Sequence, residues 1–246
     1  MKKPVTLYIL LLALSIGVLF LLNLFLGSVD IPFRSIWNIL WGMDEGESVI
    51  WQNIIWKSRV PQALTAMVAG AGLAVSGLQM QTVFRNPLAG PSVLGISSGA
   101  SLGVAFVVLL SGSIGGIALS RLGFMGEIAL TMAAIIGALS IMALIVYVSQ
   151  KVHGNVTLLI IGVMIGYVAN AVIGVLKFFS VEEDIRAYVI WGLGSFARVS
   201  GNQMMVFVCI MAVLLPLSFL LIKTLNLLLL GDAYARNLGL NIKRAR

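Results

Sequence analysis

The sequence predicts an all-α, polytopic transmembrane helix bundle, and three observations lead there. The chain is 60% hydrophobic and 10% charged, with a mean hydropathy of +1.06. A soluble domain carries about 25% charged residues, so too little polar side chain is present here to cover a water-facing surface. Six apolar segments reach, or nearly reach, the roughly 20 residues needed to cross a ~30 Å hydrocarbon core. They lie at about 7–26, 60–84, 92–110, 126–149, 156–176 and 203–223. Glycines recur at a spacing of four inside two of them. Backbone groups in lipid must be paired within the segment, which makes these segments helices. The short alternating strands of a barrel are absent from the pattern.

The first segment follows Lys2 and Lys3, as a signal peptide would. Its apolar run, Leu7–Leu26, exceeds the short core of a leader and no A-x-A-like site follows, so it reads as a retained span. Outside it, residues 30–59 contain IPFRSIWNILWG and four tryptophans, Trp37, Trp41, Trp51 and Trp56. These suit an interfacial belt, with a short surface helix near Pro32–Trp41. The second segment carries Ala66, Ala69, Gly70, Ala74 and Gly77, small residues that allow helices to approach closely in lipid.

A polar RNPLAGP turn closes the second segment. Pro87 disfavours helical geometry at Asn86, and Pro91 suits the first turn of the next helix. The turn is either a tight loop or a buried re-entrant break beside a pathway. In the third segment Gly95, Gly99 and Gly103 form a GxxxGxxxG series, and in the fifth Gly162, Gly166, Asn170 and Gly174 repeat that spacing. Four residues advance a helix by about 400°, so each series reads as one slowly drifting packing face. Asn170 is expected to face protein or water, as interhelical glue or as part of a pathway wall.

Between the fifth and sixth segments, Glu182, Glu183 and Asp184 read as a solvated helix N-terminus, since consecutive carboxylates point in different directions on a helix. The C-terminal stretch NLLLLGDAYARNLGLNIKRAR reads as a short helix. It either lies on headgroups or docks a cytoplasmic partner.

Charge sets an expected orientation. With the N-terminus in the cytoplasm, nine of the sixteen basic residues fall inside, and eight of the nine acids fall outside. The net charge of +7 then implies contact with anionic lipid, not nucleic acid. The lone Cys209 cannot form an internal disulfide, and one His with one Cys excludes a zinc site built on those ligands. No metal site and no catalytic residue is expected, and the protein reads as a non-enzyme.

Four stretches in order carry a family resemblance: RVPQAL…AGAGLAVSGLQMQTVFRNPLAGPSVLGISSGAS, VTLLIIGVMIG, YVIWGLGSF and LLLLGDAYARNLGLNI. From about Trp51 onward the chain resembles the permease subunits of ATP-driven importers for iron–siderophores, haem and vitamin B12 (FecCD-type, type II importers). Permeases of that family have ten spans, so the resemblance implies that six of the ten are present and that 1–246 is one permease domain, C-terminally incomplete. It favours the re-entrant reading of the turn and gives Asn86 and Pro87 a structural role.

The resemblance also implies site residues. Arg59 matches an arginine that docks the extracytoplasmic substrate-binding protein; the family's second arginine is replaced by Gln62, with Lys57 as a substitute. His153, Gly154, Asn155, Val156 and Thr157 match a cytoplasmic gate. Gly231, Asp232, Ala235, Leu238 and Gly239, within a coupling segment 225–246, match the helix that docks on the cytoplasmic ATPase. A second permease subunit, as homo- or heterodimer, would complete the pathway. No cofactor is expected in this chain: it has no GxxxxGK[ST] loop, and ATP is bound by the partner ATPase. The implied cargo is an iron(III)–siderophore, with haem or a corrinoid possible, across a bacterial or archaeal cell (inner) membrane. The alternative is an ion-coupled secondary transporter or channel. It is disfavoured because no Asp, Glu, Lys or Arg falls at the centre of a proposed span.

Overall fold

A computed structural model describes residues 5–43, 48–115, 124–152 and 154–242. Among the described residues all regular structure is helical. Eleven α-helices follow in order: α1 (Val5–Phe25), α2 (Phe33–Leu40), α3 (Val49–Ile54), α4 (Val60–Phe84), α5 (Ile96–Gly115), α6 (Phe124–Ser149), α7 (Asn155–Phe178), α8 (Glu182–Leu193), α9 (Gly201–Ser218), α10 (Ile222–Leu229) and α11 (Asp232–Asn237). Among the described residues, five helical stretches are long and apolar enough to cross a membrane: Val5–Phe25, Val49–Phe84, Met125–Ser149, Val156–Phe178 and Gly201–Leu229. Ile96–Leu110 is a shorter apolar helix.

Two of these stretches are longer than the apolar segments of the sequence, each for a local reason. α3 and α4 are joined through a π-helical turn, Ile55–Arg59, into a 36-residue run. Pro61 follows at once; it has no N–H to donate, and its ring crowds the carbonyl four residues back. The wider π turn accommodates this, with the Val60 N–H bonded to the Ile55 carbonyl. In the last run, Pro216 lies inside α9, and a tight 3₁₀ turn, Phe219–Leu221, precedes α10.

The third apolar segment starts later than its hydropathy indicates. Residues 86–95 are turns, and α5 begins at Ile96. Asn86–Ala89 and Gly90–Val93 each close a turn with proline in its second position, through hydrogen bonds of 3.0 Å from Ala89 N–H to Asn86 and from Val93 N–H to Gly90. Proline's fixed φ suits that position, so Pro91 serves a turn and not the first turn of a helix. Gly95, at φ +73°, separates the turns from α5.

The helices form two compact units, Met1–Gly72 with Ser195–Leu217, and Leu73–Gly194 with Ser218–Arg246. In the first, Ile31, Ile36, Ile39 and Ile55 form a buried core under α2. α2 buries Ser35, Ile36 and Ile39 and leaves Phe33, Trp37 and Trp41 exposed. Those rings and Phe25 form a ladder with successive centroid distances of 4.7, 6.4 and 5.8 Å. In the second unit α5 is the central helix, packed by α6, α7 and α8. One core joins Val104, Ala105, Val108 and Leu109 of α5 to Ala133, Ile173 and Tyr188. Another joins Ala89 and Leu94 of the turn to Ile145 of α6 and Leu159 of α7. The most apolar stretches of α1 and of Gly201–Leu229 bury no residue at all, as expected of helices whose solvent is lipid.

Candidate functional site

The expected site residues fall into four places. The first is the turn after α4, where the local sequence dictates the backbone. The Asn86 side-chain oxygen accepts the Leu88 N–H at 2.9 Å, and the Gln81 amide donates to the Pro87 carbonyl at 3.1 Å. Asn86 thus fixes the turn that Pro87 pre-bends. Arg85, just before it, is the one residue other than glycine with positive φ (+49°) among the described residues. That conformation is sterically disfavoured for a residue bearing Cβ.

The second place is the C-terminal segment. α10 ends at Leu229, and Gly231, at φ +107°, turns the chain into α11. Gly239, at φ +86°, ends α11 with its N–H bonded to the Arg236 carbonyl at 3.0 Å. The expected coupling residues divide here. Leu238 is 61% exposed, whereas Ala235 is fully buried and serves the packing of α11. Tyr234, four residues before Leu238 and also exposed, shares its face; the family match did not single it out. Arg85 reaches this segment: its Nε and one terminal nitrogen donate to the Leu228 carbonyl at 3.2 and 2.7 Å.

The third place is the start of α7. Gly154, at φ +114°, precedes the helix, and its carbonyl accepts the Leu158 N–H at 3.3 Å. Val156 is exposed. His153 lies outside the described residues.

The fourth place is Arg59, at the end of the π-helical turn. Arg59 is only 5% exposed. Its guanidinium donates to the carbonyls of Leu24 (2.6 Å) and Phe25 (3.2 Å) and to that of Val29. Leu24 and Phe25 close α1, where carbonyls lack intrahelical donors and carry partial negative charge. A Cβ on Gly27 would come within 2.7 Å of that guanidinium, so glycine makes room for it. Lys57 is exposed. Of the two residues expected to meet a binding protein, the structure therefore leaves one at the surface and turns the other inward.

The glycine series pack against two different helices. A Cβ on Gly95 would sit 2.8 Å from the Gly162 carbonyl, and one on Gly162 would sit 2.9 Å from Leu94 Cα. A Cβ on Gly99 would sit 2.7 Å from the Gly137 carbonyl, and one on Gly103 would strike the Ala133 carbonyl. Gly166 has ordinary contact with Ser98, at 3.4 Å. Gly137 was not among the expected residues, although Ala133 and Gly137 make a small-xxx-small pair readable in the sequence. Asn170 is exposed, and nothing lies within 4 Å of a Cβ on Gly174.

The acidic cluster also differs from its reading. Glu182 is exposed and pairs with Arg186 at 3.4 Å, but Asp184 is buried. Burial and the neighbouring Glu183 charge raise the Asp184 carboxyl above its ordinary value.

Apolar helices of spanning length, closely packed through glycine and interrupted by a polar break, define a multi-pass membrane protein. The chain belongs to the FecCD transport family, whose model matches residues 12–246. It is 35% identical over 222 residues to the hemin transport system permease protein HmuU of Yersinia pestis, covering 90% of this chain and 63% of that protein. It is 36% identical over 236 residues to the vitamin B12 import system permease protein BtuC of Serratia proteamaculans, covering 96% and 64%. A probable iron chelatin transport system permease protein of Helicobacter pylori is 38% identical over 191 residues, covering 76% and 53%. The chain thus spans less than two thirds of the length of these relatives. A solved structure, described as an inward-facing conformation of an ABC transporter assigned to the metal-chelate type, superposes with a TM-score of 0.74. It is 28% identical and covers 98% of this chain and 70% of that one.

Proposed function

We propose that this chain forms the transmembrane permease subunit of a binding-protein-dependent, ATP-driven importer for a metal chelate, haem or a corrinoid. An iron(III)–siderophore is the preferred cargo. The family match over residues 12–246 carries the reading. In it, a binding protein delivers the cargo from outside, and two permease subunits enclose the path. ATP binding draws two cytoplasmic ATPase subunits together, and the segment 225–246 passes that motion to the spans. The gate at 153–157 then changes access. The chain itself hydrolyses nothing; it supplies the path and the mechanical contact.

The geometry of the C-terminal segment supports this division of labour. Ala235 anchors α11 inward while Tyr234 and Leu238 stay exposed, leaving an apolar face of the kind a groove on a partner accepts. The N-terminus and residues 225–246 lie in the cytoplasm, on the charge bias of the sequence.

The test is co-purification of the ATPase with the full-length permease carrying Gly239→Trp and Asp232→Arg. The expected result is loss of the ATPase with membrane insertion unchanged. Normal yield of the ATPase would refute the assignment of the docking segment.

A further inference from the structure

Arg85 joins three parts of the second unit at one atom. The Leu228 carbonyl, on a residue 1% exposed in the last turn of α10, accepts both guanidinium hydrogen bonds. The same carbonyl accepts the Gly231 N–H at 3.2 Å, where the chain turns into α11. On the other side, Arg85 leads directly into the turn 86–95. That turn is packed on α7: Ala89 and Leu94 share a buried core with Leu159, two residues beyond Thr157, and Gly95 abuts Gly162. A continuous line of contacts therefore runs from α11 through Leu228 and Arg85 to the turn, and from the turn to the first turns of α7.

Arginine suits this junction physically. A helix C-terminus attracts a cation, and a planar fork delivers two donors to one acceptor, which a lysine ammonium does not reproduce. The positive φ of Arg85 is an observed backbone outlier, and such strain persists where surrounding contacts hold it.

We infer that Arg85 is the positioning residue that ties the C-terminal segment to the α4–α5 turn, so that displacement of α10–α11 is delivered to the start of α7. This rests on the reading of residues 225–246 as the ATPase-facing segment.

The experiment uses the complete permease–ATPase complex in proteoliposomes, with Cys209→Ser and Val156→Cys. Val156 is exposed at the start of α7. The probe is the rate of maleimide modification at position 156 with and without ATP and vanadate. In the Arg85 protein, trapping should change that rate at least about five-fold, the lower end of ordinary allosteric coupling. Arg85→Ala should abolish the change while the ATPase still co-purifies. Arg85→Lys, which keeps the charge but loses the fork, should give an intermediate response and serves if the alanine variant does not assemble. A full response in either variant overturns the inference. A parent complex that holds its ATPase but shows no response at 156 also overturns it, and with it the gate assignment. A parent that holds no ATPase refutes the functional reading itself.

Discussion

Two arginines use the same chemistry at opposite ends of α4. Arg59 caps the carbonyls that close α1, and Arg85 caps the end of α10. For Arg59 these contacts predict a structural contribution that mutation can separate from a docking one. Its guanidinium is held on three carbonyls, and Leu24, which carries the first of them, is 1% exposed, so Arg59→Ala withdraws a charged donor from a buried acceptor. It should lower unfolding stability in detergent by about 2 kcal/mol, in the range for a buried hydrogen-bonding group left unsatisfied. Lys57→Glu, at an exposed position, should leave stability unchanged and weaken association with a binding protein. An Arg59→Ala protein with unchanged melting and weakened association would reverse those roles. The arginine is conspicuous in the sequence, but only the fold shows which acceptors it meets.

At the scale of elements, the glycine series show how far spacing alone can be read. A step of four residues overshoots one helical turn by about 40°, so successive members rotate off the original face. In α7, Gly162 and Gly166 lie on the packed side. The burial then passes to Ala169 and Ile173, while Asn170 turns outward and Gly174 meets nothing. Ahead of α5, Gly95 lies in the turn and meets α7, whereas Gly99 and Gly103, within the helix, both face α6. Gly103→Leu would drive a side chain into the Ala133 carbonyl and the Gly137 backbone, which cannot move without separating the helices. It should destabilise by about 3 kcal/mol, at the upper end of overpacking effects, or prevent folding. Gly174→Leu, into open space, should be nearly neutral. Thermal unfolding of the two variants side by side checks this; equal losses would remove the distinction between the faces.

For the whole molecule, the charge bias of the sequence predicts that α10 and α11 face the cytoplasm. Placing Tyr234→Cys in a Cys209→Ser background tests this directly, since Tyr234 is exposed. An impermeant maleimide should label it only from the cytoplasmic side, and Lys57→Cys only from the opposite side. Labelling of position 234 from outside would invert the orientation and detach the proposed ATPase contact.

Composition and hydropathy by themselves determined the all-α membrane class, because backbone in lipid is satisfied only in helices or closed barrels and the alternating strands of a barrel are absent from the pattern. The four ordered motifs carried the family. Local punctuation was legible as well: Asn86 and Pro87 mark the turn, because an Asx contact and a fixed φ act within a few residues. Tertiary structure alone decided that Arg59 faces inward, that Asp184 is buried, that Gly137 is the partner of Gly99 and Gly103, and that Arg85 holds Leu228 from 143 residues away. Each of these depends on which distant carbonyl or backbone happens to lie opposite. Periodicity along one helix names a face but not the neighbour that covers it.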